Sequence, residues 1–468
     1  MERLKQALHH YFGYDSFRPG QEEIIDSLIN DQDVSAILPT GMGKSLCYQL
    51  SGYLKEGLVV IVSPLLSLME DQVLQLQKQG EKHVVAYNSL LSTSEKRYVQ
   101  KHLSAYKFLF LSPEMLLQSD ILRALKQQKI ALFVVDEAHC VSQWGVDFRP
   151  EYQRLGESIA LLGQPTTLAL TATATPRVQK DIETVLFSEK PKVVKHSVNR
   201  ENIALFVQET NQKETELRTI LSQTKGAAIV YCATKKTVEA VYEQLRPYFA
   251  AGYYHGGLDA SQRRQLQQQF NSNQLQVLVA TNAFGMGINK PDIRLVVHYD
   301  LPDSLENYVQ EIGRAGRDQQ PSSAILLYQE GDERIHWFFN QLSREQRQSF
   351  EFYLEHLEGE DAPFDELQKK WWAITQQTDT SSWLDKLRAN EKENQQRLEQ
   401  MIRYIEETNC RRTFIMDYFG ERLQEKPEQC CDLDGAKRST ERQEAEKKKE
   451  TEDWEVILIN LFKKKNPN

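Results

Sequence analysis

Residues 130 to 150 read IALFVVDEAHCVSQWGVDFRP. The first part, IALFVV, is a continuous apolar run rich in β-branched and aromatic residues, the pattern of a strand buried on both faces of a parallel sheet. Asp136 and Glu137 follow that run at once, so they stand at the carboxyl end of the strand, where open α/β sheets bind ligands. Trp144, Phe148 and Arg149 come next in the same segment. A metal and phosphate address therefore lies directly beside an aromatic and basic loop.

Outward from this stretch the same rhythm repeats. Before and after it, VSAIL, GLVVIVS, KFLFLS and TTLALTA alternate with amphipathic helical segments, which predicts a parallel α/β domain over residues 1–198. A second series, GAAIVYC, AAGYYHG, QVLVATN, IRLVVHYD and SSAILLY, is separated by helical patterns such as TKKTVEAVYEQLRPYF and predicts a second α/β domain over 199–340. KHSVNRENIALFV, between them, lacks helical period and reads as the linker. Residues 341–436 turn to long polar and amphipathic helices ending in a cysteine-containing turn, a mostly helical third unit. The tail, 437–468, mixes charges too densely for a core and holds one apolar cluster, WEVILINLF.

With 468 residues the chain is long enough for about two to four domains. Its composition, 40% apolar and 26% charged, is that of a globular protein, and no stretch approaches the ~18 apolar residues of a spanning helix. The opening MERLKQALHHYFGY carries both charge signs and no apolar core, so no secretory leader is expected and a cytoplasmic, nucleoid-associated protein without membrane contact is the default. Six cysteines are too few for a disulfide scaffold in a chain of this length, and Cys47, Cys140 and Cys232 read as buried thiols. A net charge of −9 does not exclude nucleic acid, because a local basic and aromatic stripe suffices.

PTGMGKS, Pro39 to Ser45, follows the strand VSAIL and precedes the helical pattern KSLCYQL. Strand, glycine-rich loop and helix are the order a phosphate cradle requires. Amides of Thr40, Gly41, Met42 and Gly43 can wrap phosphate oxygens, Lys44 supplies charge to the β- and γ-phosphates, and the Ser45 hydroxyl can ligate Mg²⁺. In such a site Asp136 holds Mg²⁺ through water and Glu137 polarises the attacking water. QEIGRAGRD, Gln310 to Asp318, offers Arg314 and Arg317 three residues apart as transition-state arginines from the second domain; taken alone, GRAGR reads equally well as a basic turn. Ser63, Ser67, Thr171, Thr173 and Thr281 end strands toward the expected cleft, where hydroxyls and amides can hold a phosphate backbone without reading sequence. Trp144 and Phe148 can stack on bases, at about 1 to 3 kcal/mol each, with Arg149 on phosphate or a ring face.

Taken in order, FGYDSFRPGQ, PTGMGKS, SPLLSLMEDQV, SPE, DEAHCVSQWGVDFRP, TATA, IVYC, YYHGGL, ATNAFGMGINKPDIRLVVHYD and YVQEIGRAGRD resemble the motifs of superfamily 2 helicases, and within them the RecQ family. The resemblance is very specific over about residues 8–320 and weaker to about 435. It implies two tandem RecA-like domains followed by a small helical zinc-binding-like subdomain, with ATP and Mg²⁺ as cofactors. It implies a 3′ to 5′ DNA helicase acting on single-stranded and junction DNA in recombination, repair or replication-fork maintenance, with single-strand-binding or recombination proteins as partners. By the same similarity Gln21 reads adenine with Arg18 beside it, Gln310 joins the catalytic set, and His255 joins the DNA contacts. One departure stands in the aromatic loop: Val146 occupies a position where the family usually carries histidine.

CRRTFIMDYFGERLQEKPEQCCDLD resembles the RecQ zinc-binding region, which holds a structural metal with four cysteines. Only part of that set is kept. Cys410 and Cys431 are clear counterparts, Glu428 and Asp434 fall at the other two expected positions, and Cys430 is adjacent. A mixed carboxylate site is weaker than a thiolate one, so Zn²⁺ is doubtful on this reading and packing around Tyr418 and Phe419 is expected to hold the subdomain together. Few residues follow Asp434, which predicts no complete winged helix, no further helical domain, and a short RecQ form. Two other readings stay open: an RNA helicase or remodelling ATPase on the same two sheets, and a nucleic-acid-binding scaffold with inactive catalysis, against which the intact Lys44, Asp136, Glu137, Arg314 and Arg317 speak.

Overall fold

Apolar runs with no polar alternation can be buried only where both faces of a sheet are covered. The computed structural model, which describes residues 2–143, 150–282, 284, 290–356, 362–376 and 379–437, arranges them in two such sheets. The first contains β1 (Val34–Ile37), β2 (Leu58–Val62), β3 (Val84–Tyr87), β4 (Phe108–Leu111), β5 (Ile130–Val135), β6 (Thr167–Thr171) and β7 (Lys192–Lys195), in the order β3-β4-β2-β5-β6-β1-β7. All its pairings are parallel. Successive residues of β2 serve opposite cores: Val60 and Val62 pack with Phe133 and Val135 on one face, and Val59 and Ile61 with Phe110 and Leu132 on the other.

The second sheet contains β8 (Ile203–Glu209), β9 (Ala227–Tyr231), β10 (Ala251–Tyr254), β11 (Val277–Ala280), β12 (Ile293–His298) and β13 (Ser322–Tyr328), in the order β10-β11-β9-β12-β13-β8, again parallel throughout. Two tandem parallel-sheet domains are therefore present. The topology places the acidic pair, which follows β5, and the glycine loop, which follows β1, on either side of β6. Three neighbouring strands thus deliver their carboxyl ends to one crevice.

Three features differ from the sequence expectation. Strands β3, β7 and β8 are not among the runs read as strands, and β8 begins inside the expected linker. Each is an edge strand of its sheet, and β3, β7 and β8 all include half-buried positions, which dilutes the apolar signal. Helix Arg334–His356 runs unbroken through residue 340, where the second domain is expected to end.

The third unit is only partly separate. Helices Arg334–His356, Glu366–Thr375 and Thr380–Glu406 enclose their own core of Phe350, Phe364, Trp371, Ile374, Trp383 and Leu387. The far end of Thr380–Glu406, helix Arg411–Tyr418 and the segment after it instead bring Met401, Tyr404, Ile415, Phe419, Cys430 and Cys431 into the core of the second sheet. Cys431 forms a parallel bridge with Leu205 of β8.

Candidate functional site

The glycine loop turns sharply into helix Lys44–Leu54. Gly41 and Gly43 have φ of 89° and 72°, the left-handed region that side-chain-bearing residues avoid. Gln21 Nε2 donates to the carbonyls of Met42 at 2.9 Å and Gly43 at 3.0 Å, its Oε1 accepts from Arg18 N at 2.9 Å, and Arg18 Nη1 donates to Gly41 O. Arg18 and Gln21, expected around the nucleotide, thus brace the loop itself. Lys44 and Ser45 are half-buried at the start of the helix.

Facing the loop, Asp136 N donates to Val62 O at 2.9 Å, Asp136 Oδ1 accepts from Glu137 N at 3.0 Å, and Glu137 has φ of 49°. A non-glycine residue held there stores strain that the surrounding bonds must maintain. The turn is maintained by Ala138 N, which donates to Leu170 O at 2.7 Å. Glu137 Oε2 is buried without a hydrogen-bond partner among the described residues, and His139 Nδ1 lies 3.4 Å away. Burial, then the charge of Glu137, pushes the Asp136 carboxyl well above its ordinary range. Burial acts on Glu137 in the same sense, yet Lys44, His139 and Arg314 together hold it below. A buried carboxylate oxygen that accepts no hydrogen bond, an acid destabilised by its neighbour's charge and a Lys beside both make a donor set suited to a divalent cation and a bound water. Ser45 and Asp136 are the residues that would hold Mg²⁺.

The arginine-bearing turn of the second domain reaches the same crevice. Thr40 Oγ1 donates to Gly313 O at 2.8 Å. Gly313 must be glycine, since a Cβ there would stand 2.1 Å from Thr40 Oγ1. A Cβ on Gly41 would meet Arg317 Cγ at 3.2 Å, so Arg317 lies directly over the loop. Arg314 is buried within electrostatic range of Glu137, and Gln310 is buried in the last turn of helix Leu305–Ile312. Burial, then the charges of Arg314 and Arg200, pushes Arg317 down to about 9. Lys44, Asp136, Glu137, Arg314 and Arg317 are brought together.

The expected nucleic-acid contacts fare differently. Trp144, Phe148, Arg149 and Val146 lie outside the described residues, as does the side chain of Ser67. Ser63, Thr171, Thr173 and Thr281 are all buried, with exposures of 1%, 1%, 3% and 7%. Their strands lie inside the sheets, so the hydroxyls sink with them. Thr171 Oγ1 donates to Thr173 O at 3.0 Å and lies 3.0 Å from His139 Nδ1, which ties the acidic turn to the end of β6. His255 is likewise turned inward: Nδ1 accepts from Gly257 N at 3.1 Å, which leaves Nε2 as the donor to Glu239 Oε1 at 3.1 Å. Arg200 is not legible as a site residue, because it stands in no pattern that distinguishes it from a surface side chain; His139 closes the quoted DEAH run, but the sequence reading gives it no role.

In the cysteine region, the ligand atoms of Cys410, Cys430, Cys431 and Asp434 lie within 4.8 Å of one another. Cys410 Sγ and Cys430 Sγ are 3.6 Å apart, and Cys431 Sγ is 3.0 Å from Asp434 Oδ2. Tetrahedral zinc with bonds of ~2.3 Å separates two sulfurs by roughly 3.8 Å, so the residues fit a closed four-coordinate site. The expected ligand set is corrected in one place. Glu428 is not in the group and Cys430 is, because pairing with Leu205 fixes the chain only from Cys430 and Cys431 onward.

Comparison with known proteins agrees with this geometry. Residues 18–182 match the DEAD/DEAH box helicase model, 212–319 the helicase conserved C-terminal domain, and 369–434 the RecQ zinc-binding model. The probable ATP-dependent DNA helicase RecS of Bacillus subtilis is 50% identical over 339 residues, covering 71% of this chain and 68% of that protein. The chain belongs to the RecQ family of ATP-dependent DNA helicases. A second RecQ-family relative, RecQ of Pasteurella multocida, is 38% identical over 443 residues, 92% of this chain and 62% of that one. The chain therefore spans about two thirds of the length of these RecQ-family relatives. The fold is shared with Dbp5 of S. cerevisiae, solved bound to RNA and ADP BeF3, at a TM-score of 0.60 and 21% identity over 74% of this chain and 91% of that one. Among the described residues no helix is long and apolar enough to cross a membrane.

Proposed function

We propose that this RecQ-family chain hydrolyses ATP to move 3′ to 5′ along single-stranded DNA and to separate duplex and junction DNA in recombination, repair or fork maintenance. The observation that carries the reading is the contact between the two domains across the glycine loop: Thr40 on Gly313 and Arg317 over Gly41, with Glu137 buried beside Lys44 and Arg314. A nucleotide in that crevice would join both sheets, and its hydrolysis would release them. The family relatives support DNA as the polymer, and the stated polarity rests on the resemblance of the motifs to RecQ helicases.

In this mechanism Lys44 would neutralise the β- and γ-phosphates, and Ser45 and Asp136 would hold Mg²⁺. Bound Mg²⁺ supplies charge against the developing phosphate oxygens. Glu137 orients a water for attack on the γ-phosphorus and accepts its proton as the bond to the β-phosphate oxygen breaks. Arg314 and Arg317 face the charge that develops on the transferred group, a contribution of roughly 10³ to 10⁵ in rate where such arginines have been measured. Gln310 stands behind the arginine turn. Gln21 would exchange its bonds to Met42 and Gly43 for an adenine edge, with Arg18 alongside. Trp144, Phe148 and Arg149, in the loop that follows Glu137, would report DNA to the acidic turn.

Cys410, Cys430, Cys431 and Asp434 would hold one structural Zn²⁺, which ties the end of the third unit to β8. Comparing ATPase stimulation by single-stranded DNA and RNA, then strand displacement on 3′-tailed and 5′-tailed duplexes, tests the function. Stimulation by RNA alone, or displacement from 5′ tails alone, overturns it.

A further inference from the structure

Arg200 stands between the two sheets, three residues before β8, and takes no part in the reaction as drawn above. Its guanidinium makes four bonds to backbone carbonyls. Nη1 donates to Thr40 O at 3.2 Å and to Gly313 O at 3.1 Å; Nη2 donates to Ala315 O at 3.1 Å and to Gly316 O at 2.7 Å. Asn202 Nδ2 adds a further bond to Gly316 O at 2.8 Å. The carbonyls so gathered are those of the turn that carries Arg314 and Arg317, together with one carbonyl of the phosphate loop. Three carbonyls of the turn, those of Gly313, Ala315 and Gly316, accept from one cation, which constrains the backbone that directs Arg314 and Arg317, and bonds from a charged donor are stronger than neutral ones.

Arg200 is itself held from the cysteine-cluster side. Arg412, 3% exposed and two residues after Cys410, donates through Nη1 to Asn199 Oδ1 at 2.7 Å and to Arg200 O at 3.0 Å. Its Nη2 donates to Ile203 O at 2.5 Å and to Cys430 O at 3.3 Å. One guanidinium therefore holds the Asn199 side chain, the carbonyls of Arg200 and Ile203, and the carbonyl of one of the cluster cysteines. The next guanidinium fixes the arginine turn and the phosphate loop.

We propose that Arg200 is a positioning residue that shapes the Gly313–Gly316 turn and docks it on Thr40, so that Arg314 and Arg317 meet the nucleotide only when the two sheets close, and that Arg412 transmits the state of the cysteine cluster to it. This rests on the reading of Arg314 and Arg317 as transition-state arginines. Within the second domain the bonds to Gly313, Ala315 and Gly316 persist when the sheets part; the bond to Thr40 forms on closure. Lysine cannot replace this residue, because a single ammonium lacks the planar fork that spans carbonyls on two segments.

The test measures kcat and KM for DNA-stimulated ATP hydrolysis, binding of a fluorescent non-hydrolysable ATP analogue, and thermal melting, for R200A, R200K, R412K and the control R317A. A misplacement of about 1 Å costs roughly 10²-fold, and R200A and R200K are expected to lose kcat on that scale while analogue binding and melting stay near wild type. R412K is expected to move kcat in the same direction by less. Wild-type kcat in a folded R200K overturns the proposal, and that variant decides the matter if R200A does not fold. Wild-type kcat in R412K overturns the link to the cysteine cluster. If R317A loses turnover and the Arg200 variants do not, positioning by Arg200 fails and the reading of the arginines stands; if R317A also keeps full turnover, the reading itself fails.

Discussion

His139 Nδ1 lies 3.0 Å from Thr171 Oγ1, inside a protein core where both side chains are buried. This bond joins the acidic turn after β5 to the end of β6, a direct physical link between the hydrolysis site and the neighbouring strand. Thr171→Val keeps the shape and removes the hydroxyl, leaving His139 without this buried partner at a cost of about 1 to 3 kcal/mol. The expected outcome is hydrolysis that continues with fewer base pairs separated per ATP, measured by pairing a phosphate-release assay with strand displacement. An unchanged ratio of the two would remove the coupling role.

Lys44→Ala is expected to reduce ATP turnover by at least about 10²-fold, the scale of losing one preorganised charge partner of the transition state. Steady-state hydrolysis with and without single-stranded DNA checks it. Normal turnover would dispose of the nucleotide site as drawn.

Glu137 is held in its ionised form by Lys44, His139 and Arg314 against the effect of burial. A base with a lowered pKa stays deprotonated, and therefore active, to more acidic pH, and loses activity only as pH falls through that lowered value. Arg314→Met removes one of the stabilising charges, so it should move the acid limb of the kcat profile to higher pH as well as lower its plateau. An acid limb that stays in place, with only the plateau reduced, would contradict the electrostatic link.

Trp144→Ala should depress DNA-stimulated hydrolysis far more than basal hydrolysis, because a stacking contact with bases acts only when DNA is present. Equal loss of both rates would assign Trp144 to folding instead.

Purified protein is expected to carry one equivalent of zinc by elemental analysis, with Asp434→Cys tightening retention under a chelator and Cys430→Ser weakening it. The chelator series should lose more metal at lower pH, since thiolate ligands must be deprotonated to bind. Full retention in Cys430→Ser would exclude that residue as a ligand.

Much of this protein is readable along the chain because parallel sheets covered on both faces demand continuous apolar strands, and because phosphate chemistry demands glycine, lysine and strand-end acids in a set order. IALFVV followed by Asp136 and Glu137, and the glycine loop after VSAIL, carry that order on their own. Strands β3, β7 and β8 escape the same reading because an edge strand meets the core on fewer sides and mixes polar with apolar residues. The hydroxyls of Ser63, Thr171, Thr173 and Thr281 show the converse: residue type placed them at strand ends, and only packing revealed that they are buried.

The sequence by itself determined two parallel α/β domains, the phosphate loop with Lys44 and Ser45, and the acidic pair, since each depends on local pattern and on residue chemistry. Tertiary structure alone decided which groups meet across the crevice: Thr40 with Gly313, Arg317 over Gly41, Arg200 on the arginine turn, and Cys430 rather than Glu428 in the cysteine cluster. The physical reason is that these contacts join segments hundreds of residues apart or depend on which of two near neighbours a strand pairing locks in place. Backbone carbonyls, which every residue carries, supply many of the partners, and they leave no mark in a sequence.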